Sequence, residues 1–186
     1  EVPAGDLTVT GKELAGKNVF AVRMFTAVAN ETGDSYTFTD YELEEKWRPF
    51  FAEIDYSEYN SNNDDDPDIT PPVDAKEALT YMEWLKNDNG EQQWAEFAEE
   101  AQDWLYQNNV IEVTGEPENR VVSIAEDWSG LAAMQKATEV EPVEVNEAPS
   151  GNATFASLTS GYYVVFPEGG STGISNRGTD AMLINI

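Results

Sequence analysis

The chain contains neither cysteine nor histidine, and only ten of its 186 residues are lysine or arginine. Each shortage removes chemistry. Without cysteine there is no thiolate nucleophile and no disulfide framework, and without both residues the common zinc ligand sets are excluded. General acid–base catalysis is left to carboxylates. The lack of basic residues, against 36 acidic ones and a formal charge of -26, sets a field that repels phosphate backbones and anionic lipids. Neither nucleic acid nor a membrane surface is therefore an expected partner. No run approaches the roughly 18 apolar residues of a membrane span. What is present is 40% apolar and 11% aromatic residues, enough for a folded domain with a sizeable core rather than an acidic tail. The opening Glu1-Val2-Pro3, without methionine, reads as the start of a processed or excised chain.

Strand patterns come first. Asp6 to Thr10 alternates polar with apolar, Asn18 to Val28 is a long apolar run suited to a central strand, and Ser35 to Thr39 alternates again. The period then changes. Leu43, Trp47, Phe50, Phe51 and Ile54 fall at helical spacing after Asp40, a candidate N-cap, with Pro49 implying a kink or a later start. Asp55 to Asp74, rich in Asn, Asp, Ser and Pro, reads as a long exposed loop. Two amphipathic helices follow, one carrying Ala78, Leu79, Met82 and Leu85 and the other Trp94, Phe97, Ala101, Trp104 and Leu105, ending near Asn108-Asn109. A short strand pair is expected about Glu116 to Asn119, a helical turn or two between Asp127 and Gln135, and a strand over Thr138 to Val145 with an edge-compatible Pro142.

Near the end, Phe155 to Leu158 reads as a short strand, because its alternation is imperfect. Thr159-Ser160-Gly161 reads as a hairpin-like reversal into Tyr162-Tyr163-Val164-Val165-Phe166. Ala181 to Ile186 makes a closing strand. Strands at both ends with helices between predict a mainly β, α+β chain: an antiparallel β-sandwich with a helical insertion over about 41–135.

In order along the chain stand Gly16-Lys17-Asn18-Val19-Phe20-Ala21-Val22-Arg23-Met24-Phe25, Tyr36-Thr37-Phe38-Thr39, Trp47-Arg48-Pro49-Phe50-Phe51, and Phe97-Ala98-Glu99-Glu100-Ala101-Gln102-Asp103-Trp104. The Leu158 to Val165 corner follows. This ordered set resembles the N-terminal domain of Gram-positive sortase-assembled backbone pilins, also called isopeptide-forming fimbrial proteins. The resemblance implies an Ig-like, CnaB-like sandwich spanning residues 1–186 as one domain of a longer multi-domain chain. It further implies a secreted, non-enzymatic structural subunit of a cell-wall-anchored extracellular pilus. Its implied partners are neighbouring pilin subunits, the sortase and host surface ligands, with roles in fibre building and cell adhesion.

Such domains often carry an internal Lys–Asn isopeptide bond. That bond needs a neutral amine, an asparagine amide and a protonated carboxylic acid together in an apolar core. The position where the resemblance puts the lysine holds Arg23, which cannot lose its proton. Lys17 with Asn176 or Asn185 is the substitute pairing, and the expectation is that no bond forms. Arg23 then reads as a core-edge arginine paired with a carboxylate.

Asp64, Asp66 and Asp68, in an oxygen-rich run, are candidate Ca²⁺ ligands, although the register is not that of an EF-hand and a solvated loop is the simpler reading. No cofactor is otherwise implied. Two other functions stay open. A surface adhesin or carbohydrate-binding β-sandwich module would use exposed members of Trp47, Trp84, Trp94, Trp104 and Trp128 as a stacking platform, though helical spacing favours the core for Trp47, Trp94 and Trp104. A glycosidase-like enzyme would show a cleft holding a carboxyl with a raised pKa.

Overall fold

The computed structural model describes residues 4–12, 14–32, 35–63, 65–87, 90–141, 150–168 and 182–186. The chain is α+β, and its sheets are antiparallel. It opens with three strands, β1 (Ala4–Gly11), β2 (Asn18–Thr32) and β3 (Ser35–Leu43). Four helices follow: α1 (Arg48–Glu53), α2 (Ser57–Asn62), α3 (Ala75–Asn87) and α4 (Gly90–Gln107). A hairpin of β4 (Ile111–Thr114) and β5 (Val121–Ile124) comes next. Then come β6 (Ala132–Lys136), β7 (Thr138–Val140), β8 (Ser150–Thr159), β9 (Gly161–Pro167) and β10 (Met182–Asn185).

One sheet has the order β1-β8-β7. The other runs β10-β9-β2-β3, with β6 pairing the first half of β2 beyond the reach of β3. Strand β2 is apolar along most of its length because both of its faces are covered. Val19 and Ala21 join Tyr163 and Val165 of β9 in a cluster with Val9, Ala153 and Phe155 of the first sheet. Phe20, Val22 and Met24 point the other way, with Val164 and Phe166, into a larger cluster under the helices. A bulge between Arg23 and Phe25 turns Phe25 to the helical side as well. The middle layer is thus a sheet with a second sheet on one face and helices on the other.

The helices meet that sheet through aromatic rings. Trp47, fully buried, stacks on Trp104 at 5.5 Å and meets Phe50 and Trp128 edge-on, while its indole N–H donates to the Arg23 carbonyl at 2.8 Å. Its half-buried neighbour Lys46 pairs with Asp127.

Several expectations change here. Asp40 lies in β3 and caps nothing; Pro49 stands in the first turn of α1, where its missing N–H costs no hydrogen bond, so the helix starts later. The stretch from Asp55 to Asp74 is no open loop. It contains α2 and buries Tyr59, Ile69 and Val73, and the Asn60 amide clamps it by hydrogen bonds to both N–H and C=O of Ile69. Asp127 to Gln135 divides: Asp127 and Trp128 complete a 3₁₀ turn as expected, Ser129 to Leu131 form a turn, and from Ala132 onward β6 is recruited by the free edge of β2. The strand expected from Thr138 to Val145 is seen as β7; residues 142–149 lie outside the described residues.

The arm before the corner is not short. Strand β8 has ten residues, and its broken alternation is a bulge in which Ala156 and Ser157 together face Asp6. Ser157 takes φ 56° there, and its N–H donates to the Asp6 carboxylate. Nor is the corner a hairpin. Strand β8 pairs with β1 and β7 whereas β9 pairs with β2 and β10, so at Ser160 the chain crosses from one sheet to the other.

Candidate functional site

The crossing at Ser160-Gly161 gathers distant parts of the sequence. Ser160 is buried, and its carbonyl accepts from the Ala27 N–H of β2 at 2.9 Å. Gly161 exchanges both backbone hydrogen bonds with Ile186, at 3.1 and 3.0 Å. A Cβ on Gly161 would stand 2.0 Å from the Phe25 carbonyl oxygen, so the backbones of β2 and β9 approach here as only glycine allows. Ile186 in turn fills the space against Gly5 of β1. The corner, the central strand and both chain-end strands are thereby tied at one point.

Beside this junction lies the polar group centred on Arg23. Its Nε donates to Glu44 Oε1 at 2.8 Å, the Thr26 hydroxyl donates to the same oxygen, and the Glu44 backbone N–H is held by the Met24 carbonyl. The Arg23 and Glu44 side chains are 18% and 20% exposed, so the pair sits at the edge of the core as the sequence implied. Across the register Arg23 faces Tyr163. Burial raises the Tyr163 phenol while the guanidinium pulls it back, and the phenol donates to the Thr159 carbonyl at 2.7 Å. Glu44, 21 residues from Arg23, was not legible as its partner. Nothing in this group can act as a nucleophilic amine.

Of the alternative crosslink candidates, Lys17 and Asn185 are described and stand apart along the strands. Lys17 precedes β2, half-buried, while Asn185 is opposite Tyr162, which is opposite Phe25 near the far end of the strand pairing. From Lys17 to Phe25 the chain advances about 26 Å at about 3.3 Å per residue, which is the separation of the two backbone positions along the sheet. Asn176 lies outside the described residues, as does Asp64. Asp66 and Asp68 are exposed, and among the described residues no three carboxylates are grouped to hold a metal ion.

The tryptophans offer no open platform: Trp47, Trp84, Trp104 and Trp128 are buried, and Trp94 is half-buried. Among the described residues Glu100 is the carboxyl held above its ordinary range, first by partial burial and then by Glu96 and Asp103. Those two neighbours stand one turn away on the same helix. The shift therefore reports like-charge crowding along α4 and singles out no acid–base pair across a cleft.

No protein-family model matches the chain, and no curated protein or solved structure is significantly similar to it. No helix among the described residues is long and apolar enough to cross a membrane.

Proposed function

We propose that this chain is a structural domain of a sortase-polymerised cell-surface pilus, with an Ig-like, CnaB-like β-sandwich as its frame and no catalytic role. The observation that carries the reading is convergence. The Gly16 to Phe25 stretch, the Leu158 to Val165 corner and the closing strand are far apart in sequence, and they are the three pieces joined at Gly161. A resemblance scattered by chance through unrelated loops would have no reason to meet in one hydrogen-bonded junction.

The domain acts by holding shape. Two covered faces of β2 and the crossing corner transmit load through backbone hydrogen bonds and core contacts rather than through a crosslink. Its partners are the neighbouring subunits and the sortase that joins them at the cell wall. With arginine at position 23, the intact mass of the purified domain equals the sequence mass; the roughly 17 Da deficit of an ammonia-releasing amide bond would contradict the uncrosslinked reading.

The pilus role is tested with an antibody raised against this domain, applied to wall extracts of the cells that produce it. A ladder of bands surviving boiling in SDS is expected. One band at monomer mass, unchanged by sortase deletion, would sink the proposal.

A further inference from the structure

A chain with no cysteine leaves one-electron chemistry largely to its rings, and eight of these are tyrosines. Among the described residues three pairs of tyrosine rings are in contact: Tyr56 with Tyr81 at 4.9 Å, Tyr59 with Tyr81 at 6.1 Å, and Tyr41 with Tyr162 at 5.0 Å. The first two meet nearly edge to face, at 77° and 74°, and Tyr56 and Tyr59 are core residues, 4% and 2% exposed. The Tyr56 hydroxyl is committed to the Phe51 carbonyl at 2.7 Å. The third pair differs: its rings are tilted by 47°, and both residues are half-buried.

The place of this pair in the sheet is also distinct. Tyr41 of β3 is opposite Ala27 of β2, and Tyr162 of β9 is opposite Phe25 across the other edge of β2. Strands β3 and β9 do not pair with each other, so the two rings meet over β2, on the helical side, where Ala27 offers only a methyl group. Tyr162 lines a hollow of about 280 Å³ together with Glu83 of α3, which gives its phenol a way out to water. Burial raises that phenol first, then Tyr41 and Glu83, so the second hydroxyl and a proton-accepting carboxylate both lie within electrostatic reach.

We propose that Tyr41 and Tyr162 are an oxidative modification site, at which hydrogen peroxide, used by a haem peroxidase, joins the two rings as dityrosine. Each phenol gives one electron to the oxidised haem and its O–H proton to water or to Glu83. The unpaired electron spreads onto the ring carbons beside the hydroxyl, and one such carbon from each ring forms the new C–C bond. The hydrogen on each joined carbon then leaves as a proton while a proton returns to each oxygen, which restores two phenols. The two electrons and two protons removed in all turn one peroxide into two waters. Unpaired density lies above and below a ring, so coupling needs faces turned partly toward each other; a 47° tilt provides this and near-perpendicular rings do not. The chain as synthesised carries no such bond. Once made, the bond clamps β2 between both of its neighbours and closes a long stretch of sequence, which restricts the unfolded chain. The inference does not depend on the pilus reading.

The test treats the folded chain, at high dilution, with a haem peroxidase and hydrogen peroxide. The monomer is expected to lose about 2 Da, for two hydrogens, and to gain the blue fluorescence of dityrosine. Oxidation of the four methionines adds oxygen instead and is told apart by mass. Proteolysis yields one joined pair of peptides, carrying Tyr41 and Tyr162. Tyr41→Phe and Tyr162→Phe, which remove only a hydroxyl, each abolish that product, whereas Tyr81→Phe leaves its yield unchanged. The joined chain unfolds at a higher urea midpoint than the untreated one. An unchanged monomer mass, a bond mapped to Tyr81, or products that are only dimers would overturn the proposal. So would an unaltered urea midpoint, or the same joined pair in equal yield from the urea-unfolded chain, since the folded geometry would then have no part in the reaction.

Discussion

At the scale of single residues, the positions that matter most are where two backbones or a charge and a core come together. Gly161→Ala places a methyl against the Phe25 carbonyl, where neither strand can move without breaking the register of β2 with β9. A loss of more than about 2 kcal/mol in denaturant unfolding is expected, whereas Gly130→Ala, with open space around its added Cβ, stays within about 0.5 kcal/mol. The contrast separates close approach from the general effect of removing a glycine. Arg23 offers a second check. Arg23→Met leaves Glu44 mostly buried with only the Thr26 hydroxyl and costs about 1–3 kcal/mol. In a double-mutant cycle, adding Glu44→Gln recovers part of that loss, because the stranded charge is then gone. Full additivity would show that the two side chains do not interact in solution.

At the scale of elements, α3 begins with a reciprocal cap. The Asp74 carboxylate accepts from the Glu77 N–H, and the Glu77 carboxylate accepts from the Asp74 N–H, both at 2.8 Å. Asp74→Ala is expected to cost about 1 kcal/mol in thermal or denaturant unfolding, and no change would mean the first turn of α3 is held by Val73 and Ala78 alone. This element was legible in the sequence, and so were α4 and β2, because each repeats its pattern over many residues. The failures share a physical cause. Strand β6, Ala132-Ala133-Met134-Gln135-Lys136, has little pattern of its own and is a strand because β2 outruns β3 and leaves an edge to pair. The Asp55 to Asp74 region hides Tyr59, Ile69 and Val73 among polar residues, and its order comes from the Asn60 clamp on Ile69, a contact no local period reports. At the corner, Gly161 announced a turn, but which sheet each arm joins is decided by partners more than a hundred residues away in β1 and β2. The candidate site divides the same way: Arg23 at a core edge was readable, whereas its partner Glu44 comes beside it only once the chain has folded.

At the scale of the whole molecule, the dominant fact is charge, and it fixes how stability must vary with pH and salt. With 36 acidic and 10 basic residues, the compact state works against its own field at neutral pH. Glu100 gives the local sign. Its carboxyl is raised in the folded chain relative to its ordinary value, so over the pH range just above that value the native state binds more protons than the unfolded state. Stability from this group is full below the unfolded value and is lost as pH rises through the folded one. Asp127 and Asp55 have the opposite sign. The first is lowered by its hydrogen bond from Lys46 and the second by the Ser57 N–H, so their contributions vanish only at more acid pH. Both are fully exposed, so water and salt weaken their effect, whereas repulsion is shared by many carboxylates. The expected outcome is a melting temperature that rises as pH falls from 7 toward 5 and declines below about pH 4, as the carboxylates that are hydrogen-bonded in the native state take up protons. Added sodium chloride raises it at pH 7 more than at pH 5, since salt screens a repulsion that protonation has already reduced. Glu100→Gln raises the pH 7 value and flattens the slope above pH 5. A melting temperature that falls steadily from pH 7 to pH 5, with no response to salt, would mean that ion pairing outweighs repulsion across the fold.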